Sequence, residues 1–387
     1  MRITLIILSV LIPFGLYAQE EPWMTIFVHG TFRPYFSMRE MIKIAKDSLK
    51  DGHYVRNTLT LRDHPFFREH QAIQGYGLQP INTSENCSGC ASAALAMLYE
   101  RHDSGCQAPL IGNLWYTFGW SGLLLRSERA QAARQLYQAI TDELAHLEQR
   151  GIKPRIRLIG FSHGGNVALQ VAQHAPAQWC IDELILIGTP VQKDTDHLIT
   201  RPCFKKIYHL YSLADYIQNA DLISSNYFSS HRRFARRKGL EIPDNLTQIQ
   251  IRIGRTPRTH LDPGHTELWF FGWTTKRYRK KFPLHPLPVV AFVPLIIAQL
   301  STLTCHTNDV IVDLQLCRGT MTITTPWLGE KKEQHERPFI APDAFTELQK
   351  QIEQLRPPWH TPQAEQTIIK TVHKDTKKAL KSSKHKS

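Results

Sequence analysis

Several features that would assign this chain to a special structural class are missing from its sequence. Its 387 residues hold no internal repeat, and a composition of 42% hydrophobic and 21% charged residues excludes coiled-coil and collagen-like chains. The basic stretches 231–238 and 276–281 are not interleaved with nucleic-acid-binding motifs, so nucleic acid is not an expected partner. The length suits one large α/β domain with additions, or two domains.

The apolar runs are too short or too interrupted to make comfortable membrane spans. The run from Ile3 to Tyr17 follows one arginine and precedes Ala18, which is the pattern of a secretory signal. We therefore expect residues 1–18 to be a signal peptide and the protein to be exported, either periplasmic or secreted. A buried first strand and an uncleaved anchor are the alternatives. No cysteine follows the run, so lipoprotein anchoring is not expected.

Cysteine is also scarce, and its number is odd. The seven cysteines are Cys87, Cys90, Cys106, Cys180, Cys203, Cys305 and Cys317, so at least one thiol is unpaired or shared between chains. Export would permit disulfides, whose pairing the sequence leaves open. Cys87, Cys90, His102 and Cys106 have nearly the spacing of a zinc finger. Residues 91–102 favour one helix, however, which would separate Cys90 from His102 by about 18 Å. No metal is expected.

The net charge of +13 is concentrated at the end of the chain. Residues 370–387 contain seven lysines and one acid, Asp375, which is a net contribution of +6. Such a run is typical of a solvated extension, so we expect residues 366–387 to be a basic disordered tail. Contact with an anionic membrane surface is the functional alternative.

Short apolar runs alternate with helical patterns, which predicts a doubly wound, mostly parallel α/β sheet covered on both faces. The expected strands are 25–30, 114–120, 155–160, 183–188, 206–212 and 247–253, with helices at 38–50, before 150 and after 164. Because the first strand lies so near the expected mature N-terminus, we expect a trimmed sheet.

We expect the main α/β domain to cover residues 19–284. Its segment 51–112 is too long for a simple connection and is predicted to be an insertion over the sheet edge. The apolar helix 91–99 makes this insertion a candidate lid. Residues 285–365 are expected to form a small C-terminal α+β addition, with a hairpin over 309–325 and a helix over 342–355.

The stretch from Gly160 to Gly164, GFSHG, matches the G-x-S-x-G pattern of a nucleophilic serine. It directly follows a predicted strand and opens a predicted helix, which is the setting the chemistry requires. The glycines permit a sharp turn that lifts the Ser162 hydroxyl above the sheet, where free backbone N–H groups can stabilise an oxyanion. His163 is the expected first oxyanion donor. The second is Thr31, from FVHGTF at 27–32, again at a strand end.

A serine nucleophile needs a base and an acid that orients the base, in the order Ser, Asp or Glu, His along this kind of sheet. Asp215 follows the strand 206–212 and is the preferred acid. The alternatives are Asp221, Asp194 and Asp196. His265 is the preferred base because it precedes an apolar stretch that can fix its loop, and His260 is the alternative.

These residues resemble the α/β-hydrolase superfamily, in its lipase-like serine esterase branch. The resemblance rests on FVHGTF at 27–32, GFSHGGN at 160–166, YSLAD ending at Asp215 and GHTELW at 264–269. It implies hydrolysis of a carboxylic ester of a small molecule or a lipid, through an acyl-serine intermediate and without a metal or organic cofactor. A thioesterase, amidase or acyltransferase with the same triad, or a non-catalytic binding protein on the same scaffold, remains an alternative.

Overall fold

A computed structural model describes the chain from residue 21 to residue 384 with gaps. The described residues are 21–31, 53–70, 73–83, 91–103, 112–220, 229–256, 259–303, 308–325, 333–359 and 361–384. The predicted signal peptide, the helix expected at 38–50, and the residues Asp221, Cys87, Cys90 and Cys106 lie outside this part of the chain.

One large sheet organises the described residues. Its strands are β1 (Trp23–Val28), β2 (Gly77–Pro80), β3 (Leu114–Gly119), β4 (Arg155–Phe161), β5 (Ile181–Ile187), β7 (Phe204–Tyr211), β9 (Leu246–Thr256), β10 (Thr259–Leu261), β11 (Asp309–Gln315), β12 (Thr320–Thr325) and β13 (Glu333–Pro338). A separate two-stranded sheet pairs β6 (Val191–Gln192) with β8 (Ser230–His231). The six predicted strands correspond to β1, β3, β4, β5, β7 and β9, because their apolar runs are long and bounded by turns. The short strands β2, β6, β8 and β10 and the edge strand β13 were not predicted.

The strand order is β13-β12-β11-β9-β7-β5-β4-β1-β3-β2, with β10 paired to β9. Seven consecutive strands, from β11 to β3, run parallel, while β2, β10, β12 and β13 add antiparallel pairs. The chain leaves β1 toward β3 and leaves β4 toward β5, so the winding reverses between β1 and β4. Ligands of open α/β sheets bind outside the carboxyl ends of the strands at such a reversal.

Helices cover both faces of the sheet. In chain order they are α1 (His53–Asp63), α2 (Pro65–His70), α3 (Ala91–Asp103), α4 (Arg126–Gln149), α5 (His163–Gln170), α6 (Ile217–Ala220), α7 (His265–Trp269), α8 (Val293–Leu300), α9 (Pro342–Gln354) and α10 (Pro362–Lys384). One core joins α4 and α5 to alternate residues such as Ile26 and Leu158. The other joins α3, α7, α8 and α9 to residues such as Phe27 and Phe161. The prediction of an α/β fold with a large, mostly parallel sheet is confirmed.

The region 285–365 extends the sheet, which corrects the expectation of a trimmed sheet. The predicted hairpin is present as β11 and β12, and β11 pairs in parallel with β9 through seven residue pairs. Val312 and Ile323 of this hairpin lie in the same hydrophobic core as Phe161. The sheet gains width because a long-range pairing, which local sequence does not reveal, adds strands at its far edge. The domain boundary at 284–285 itself stays a prediction.

The expectation of a disordered basic tail is wrong over the described residues. Residues 362–384 form the helix α10, which packs against α1. Ile368, Ile369 and Val372 follow helical spacing and join a small apolar cluster with Leu61 and Phe67. This amphipathic pattern outweighs the effect of the lysine-rich composition, because Lys370, Lys374, Lys377 and Lys378 are exposed on the other faces of the helix.

Candidate active site

Ser162 occupies the sharp turn between β4 and α5. Its φ of 51° and ψ of −127° place it in a strained region, and among the described residues it is the only non-glycine residue with positive φ. Such a conformation costs on the order of 1–3 kcal/mol and persists only where its surroundings impose it. Its N–H donates to the Ile187 carbonyl at 2.9 Å, which ties the turn to β5. Strain of this kind concentrates at functional sites.

Three glycines make room for this turn. A Cβ on Gly160 would lie 2.5 Å from the Gly165 Cα atom, and a Cβ on Gly164 would collide with the carbonyls of Val28 and His29. A Cβ on Gly30 would lie 2.9 Å from the Ser162 Cβ atom. The end of β1 therefore lies directly against the serine. This close approach joins the two strands at which the winding of the sheet reverses.

Asp215 and His265 are brought together although 50 residues separate them. Asp215 is fully buried after β7, and its Oδ2 accepts a hydrogen bond from His265 Nδ1 at 2.7 Å. Its other oxygen, Oδ1, accepts the backbone N–H groups of Ile217 at 3.0 Å and Gln218 at 3.4 Å. This arrangement fixes the His265 tautomer, with Nδ1 protonated and Nε2 available as a base.

His265 also lies beside the serine turn. Its ring packs on Phe161, the residue before Ser162, with the ring centroids 4.6 Å apart. Within the described part of the chain no hydrogen bond joins the Ser162 hydroxyl to His265. Hydrogen bonds between a nucleophile and its base often tighten only when substrate binds. Ser162, Asp215 and His265 are therefore held around one point of the sheet.

The loop that would supply the second oxyanion donor is held by a neutral histidine. His29 Nδ1 donates to the Gly30 carbonyl at 2.7 Å, while His29 Nε2 accepts the Trp120 N–H at 3.2 Å. Burial lowers the pKa of His29 to about 3, so the neutral ring that both bonds require is kept. Thr31 follows Gly30, which lies against Ser162, and His163 is the first residue of α5. Both residues therefore stay the expected oxyanion donors.

Arg62 anchors this loop from the insertion. It is buried, and its Nε donates to the Trp120 carbonyl at 2.6 Å while its Nη2 donates to the Gly75 carbonyl at 2.8 Å. Trp120 in turn donates from its indole Nε1 to the His29 carbonyl at 2.8 Å. Arg62 does not stand out in the sequence, since a buried charge is recognised only from its tertiary partners. The insertion therefore braces the loop that contains His29 and Gly30, by way of Trp120.

Glu267 holds the short helix that begins at His265. Its carboxylate is buried and accepts the Gly264 N–H at 3.0 Å, the Arg279 N–H at 3.1 Å and Arg279 Nε at 2.7 Å. A sequence signal for this residue does exist, because a glutamate at the third helical position often reaches back to the N-cap N–H.

Replacing Glu267 by glutamine puts an amide NH₂ among these donors. We expect the free energy of unfolding to fall by about 1–3 kcal/mol, as for a buried charged hydrogen bond that is lost. For the ester hydrolysis that the resemblance implies, turnover should fall by about ten- to a hundredfold with little change in KM, because His265 loses its fixed position. Urea unfolding and steady-state kinetics measure both. The matched control Glu353→Gln breaks an exposed pair with Arg356 and should change neither.

The alternative acid and base residues lie elsewhere. His260 is on β10 with its side chain 47% exposed, and it approaches Asp262 at 3.9 Å. Asp196 pairs with Arg237 at 2.7 Å, and Asp194 approaches Arg126 at 3.5 Å. Each of these carboxylates faces an arginine, and the contacts made by the three residues do not include Ser162 or His265. Of the predicted acids and bases that lie among the described residues, only the preferred ones, Asp215 and His265, are thus brought together near Ser162.

Across the described ranges, no cluster of His, Cys, Asp and Glu is arranged to hold a metal ion. Of the four residues with nearly zinc-finger spacing, Cys87, Cys90 and Cys106 lie outside these ranges. The described helices include none long and apolar enough to cross a membrane. Comparison with known proteins gives no match to a family model, a curated protein or a solved structure.

Proposed function

We propose that the chain is a serine hydrolase that cleaves carboxylic esters through an acyl-serine intermediate. The observation that carries this proposal is the coincidence of a strained Ser162 with a buried Asp215–His265 pair at the point where the sheet reverses its winding. The order Ser, Asp, His and the strand ends that carry them agree with an α/β-hydrolase arrangement. Nothing in this chemistry calls for a cofactor.

In the proposed reaction, His265 Nε2 takes the proton of the Ser162 hydroxyl as its oxygen attacks the ester carbonyl carbon. The Asp215 carboxylate stabilises the imidazolium that forms. The backbone N–H groups of His163 and Thr31 donate hydrogen bonds to the developing oxyanion. His265 then protonates the departing alcohol, which leaves an acyl group on Ser162. A water molecule activated by His265 releases the acid and restores the enzyme.

A burst experiment tests the ester activity. We expect rapid release of about one equivalent of nitrophenol per protein from p-nitrophenyl butyrate, followed by slower steady turnover, because deacylation through water is the second step. The corresponding thioester and anilide test the alternatives. Absence of turnover on all three, with folded protein, would contradict a hydrolase. Preference for the anilide or the thioester would still support the acyl-serine intermediate. The proposed substrate would then be an amide or a thioester instead of an ester.

Exposed apolar side chains beside the acid favour a substrate with an apolar chain. Leu213, Tyr216 and Ile217 flank Asp215 with 47%, 74% and 39% of their surface exposed. Arg232 lies 5.8 Å over the Tyr216 ring and donates to the Asp215 carbonyl at 3.0 Å. Large exposed apolar residues next to a reactive centre are suited to contact with acyl chains or a lipid surface. We therefore include lipid esters, and contact with a membrane surface, in the proposed substrate range.

This substrate range predicts that hydrolysis is faster on aggregated esters than on dispersed ones. Tyr216→Ser should lower the rate on micellar or vesicle-bound ester about tenfold and leave the rate on a short soluble ester unchanged. Trp359→Ser is the matched control, since Trp359 is an exposed aromatic residue outside the Asp215 loop. Equal parent rates on micellar and soluble esters would count against a lipid substrate.

A further inference from the structure

Two cysteines lie side by side at the amino ends of β5 and β7. Ile181 is paired with Phe204 in the parallel ladder, and the Ile181 N–H donates to the Cys203 carbonyl at 2.7 Å. Cys180 and Cys203 each precede one member of this pair. They are therefore opposite each other, one residue pair before the ladder begins.

The neighbouring pair indicates that side chains on this face of the two strands meet. Asp182 and Lys205 lie one pair further along, and Lys205 Nζ contacts Asp182 Oδ1 at 2.7 Å. Because side chains two residues apart share a face, Cys180 lies on the face of Asp182, and Cys203 on that of Lys205. Adjacent strands are about 4.8 Å apart. This spacing lies within the Cα separation of about 4.4–6.8 Å that a disulfide requires.

The two thiols differ in environment. Both are free in the structure. Cys203 is buried, and burial raises the pKa of its thiol to about 11. Cys180 is partly exposed, and its sulfur lies within reach of the Lys205 ammonium. Cys180 is thus the accessible nucleophile of the pair, and Cys203 is its shielded partner.

We propose that Cys180 and Cys203 form an intramolecular disulfide by exchange with a small-molecule disulfide. The Cys180 thiolate attacks one sulfur of that reagent, breaks its S–S bond and releases one small thiolate. The Cys203 thiol then loses its proton to solvent and attacks the Cys180 sulfur, releasing the second small thiolate. Two protein thiols are oxidised to one disulfide, and the reagent is reduced to two thiols.

The pair lies at the opposite end of the strands from the candidate active site. Ser162, Gly188 and Asp215 follow the carboxyl ends of β4, β5 and β7, whereas the cysteines precede β5 and β7. Seven residues of strand place about 23 Å between the two ends of β5. The disulfide therefore staples two central strands without touching the reacting groups, and it stabilises the fold independently of the proposed activity.

Oxidised glutathione and peptide mapping test the proposal on the full-length, natively folded chain. After incubation, quenching and alkylation, digestion without reductant should give one peptide pair linked through Cys180 and Cys203, with a mass two hydrogens below the sum of the parts. The rate of linking should rise about tenfold per pH unit between pH 7 and pH 9, since Cys203 must ionise. The melting temperature should rise on oxidation.

Two variants make the test specific. Cys203→Ser should stop at a stable glutathione adduct on Cys180, and Cys317→Ser, which removes an exposed thiol elsewhere, should leave the link intact. The melting-temperature difference between oxidised and reduced protein should vanish in Cys203→Ser. Recovery of Cys180 and Cys203 as separately alkylated peptides, or of either one linked to another cysteine, would overturn the proposal.

Discussion

Ser162→Ala is expected to lower kcat/KM for ester hydrolysis by about 10⁴- to 10⁶-fold. The substitution removes the oxygen that carries the acyl group in the proposed reaction and leaves the proposed oxyanion donors in place, so a small residual rate over water should survive. Ser121→Ala, in the loop after β3, is the matched control and should keep parental kinetics. A loss of less than about tenfold in Ser162→Ala would mean that another residue is the nucleophile.

The strained backbone at Ser162 predicts an effect on stability as well as on activity. Alanine keeps the unfavourable φ of 51°, whereas glycine tolerates positive φ without cost. Ser162→Gly should therefore be as inactive as Ser162→Ala but more stable than it by about 1 kcal/mol or more, measured by urea unfolding. Equal stability of the two variants would contradict the strained turn.

Asp215→Asn is expected to reduce kcat by about 10⁴-fold while preserving the fold. The amide keeps the shape of the carboxylate, and its oxygen can still accept from Ile217 and Gln218. Its NH₂ group, however, would face His265 Nδ1 and favour the tautomer that carries its proton on Nε2, which is not a base toward Ser162. Steady-state kinetics on the butyrate ester measures the effect.

Asp196→Asn is the control for this variant. Asp196 is another buried carboxylate, paired with Arg237, so its replacement should cost stability without a comparable loss of turnover. His265→Gln should match Asp215→Asn, and His260→Gln should retain activity. Comparable losses in Asp196→Asn and Asp215→Asn would indicate a structural effect and remove the assigned role of Asp215.

Local sequence was enough to predict that residues following neighbouring strand ends lie close together. Parallel strands carry their functional loops at one edge, so Ser162, Asp215 and His265 could be placed near each other from three short segments. The glycines around the serine were informative for a different reason. The close approaches at Gly160 and Gly30 leave no room for a Cβ atom.

The residues that support the site depend on contacts distant in sequence, and these could not be predicted. Arg62 reaches Trp120 across 58 residues, and this contact is what makes a buried arginine understandable. Likewise, β11 widens the sheet by pairing with β9, and the composition of neither strand predicts this pairing. In the C-terminal helix, the lysine count predicts disorder, whereas the spacing of Ile368, Ile369 and Val372 predicts an amphipathic helix.

The most direct test of the central claim is covalent labelling with a fluorophosphonate, which reports an activated serine without requiring the natural substrate. The protein should gain one adduct by intact mass, and peptide mapping should locate it on Ser162. Ser162→Ala should gain none, and His265→Gln should react far more slowly. An adduct on a different serine, or none on the folded protein under conditions that label a known serine esterase, would contradict the assignment of Ser162 as an activated nucleophile.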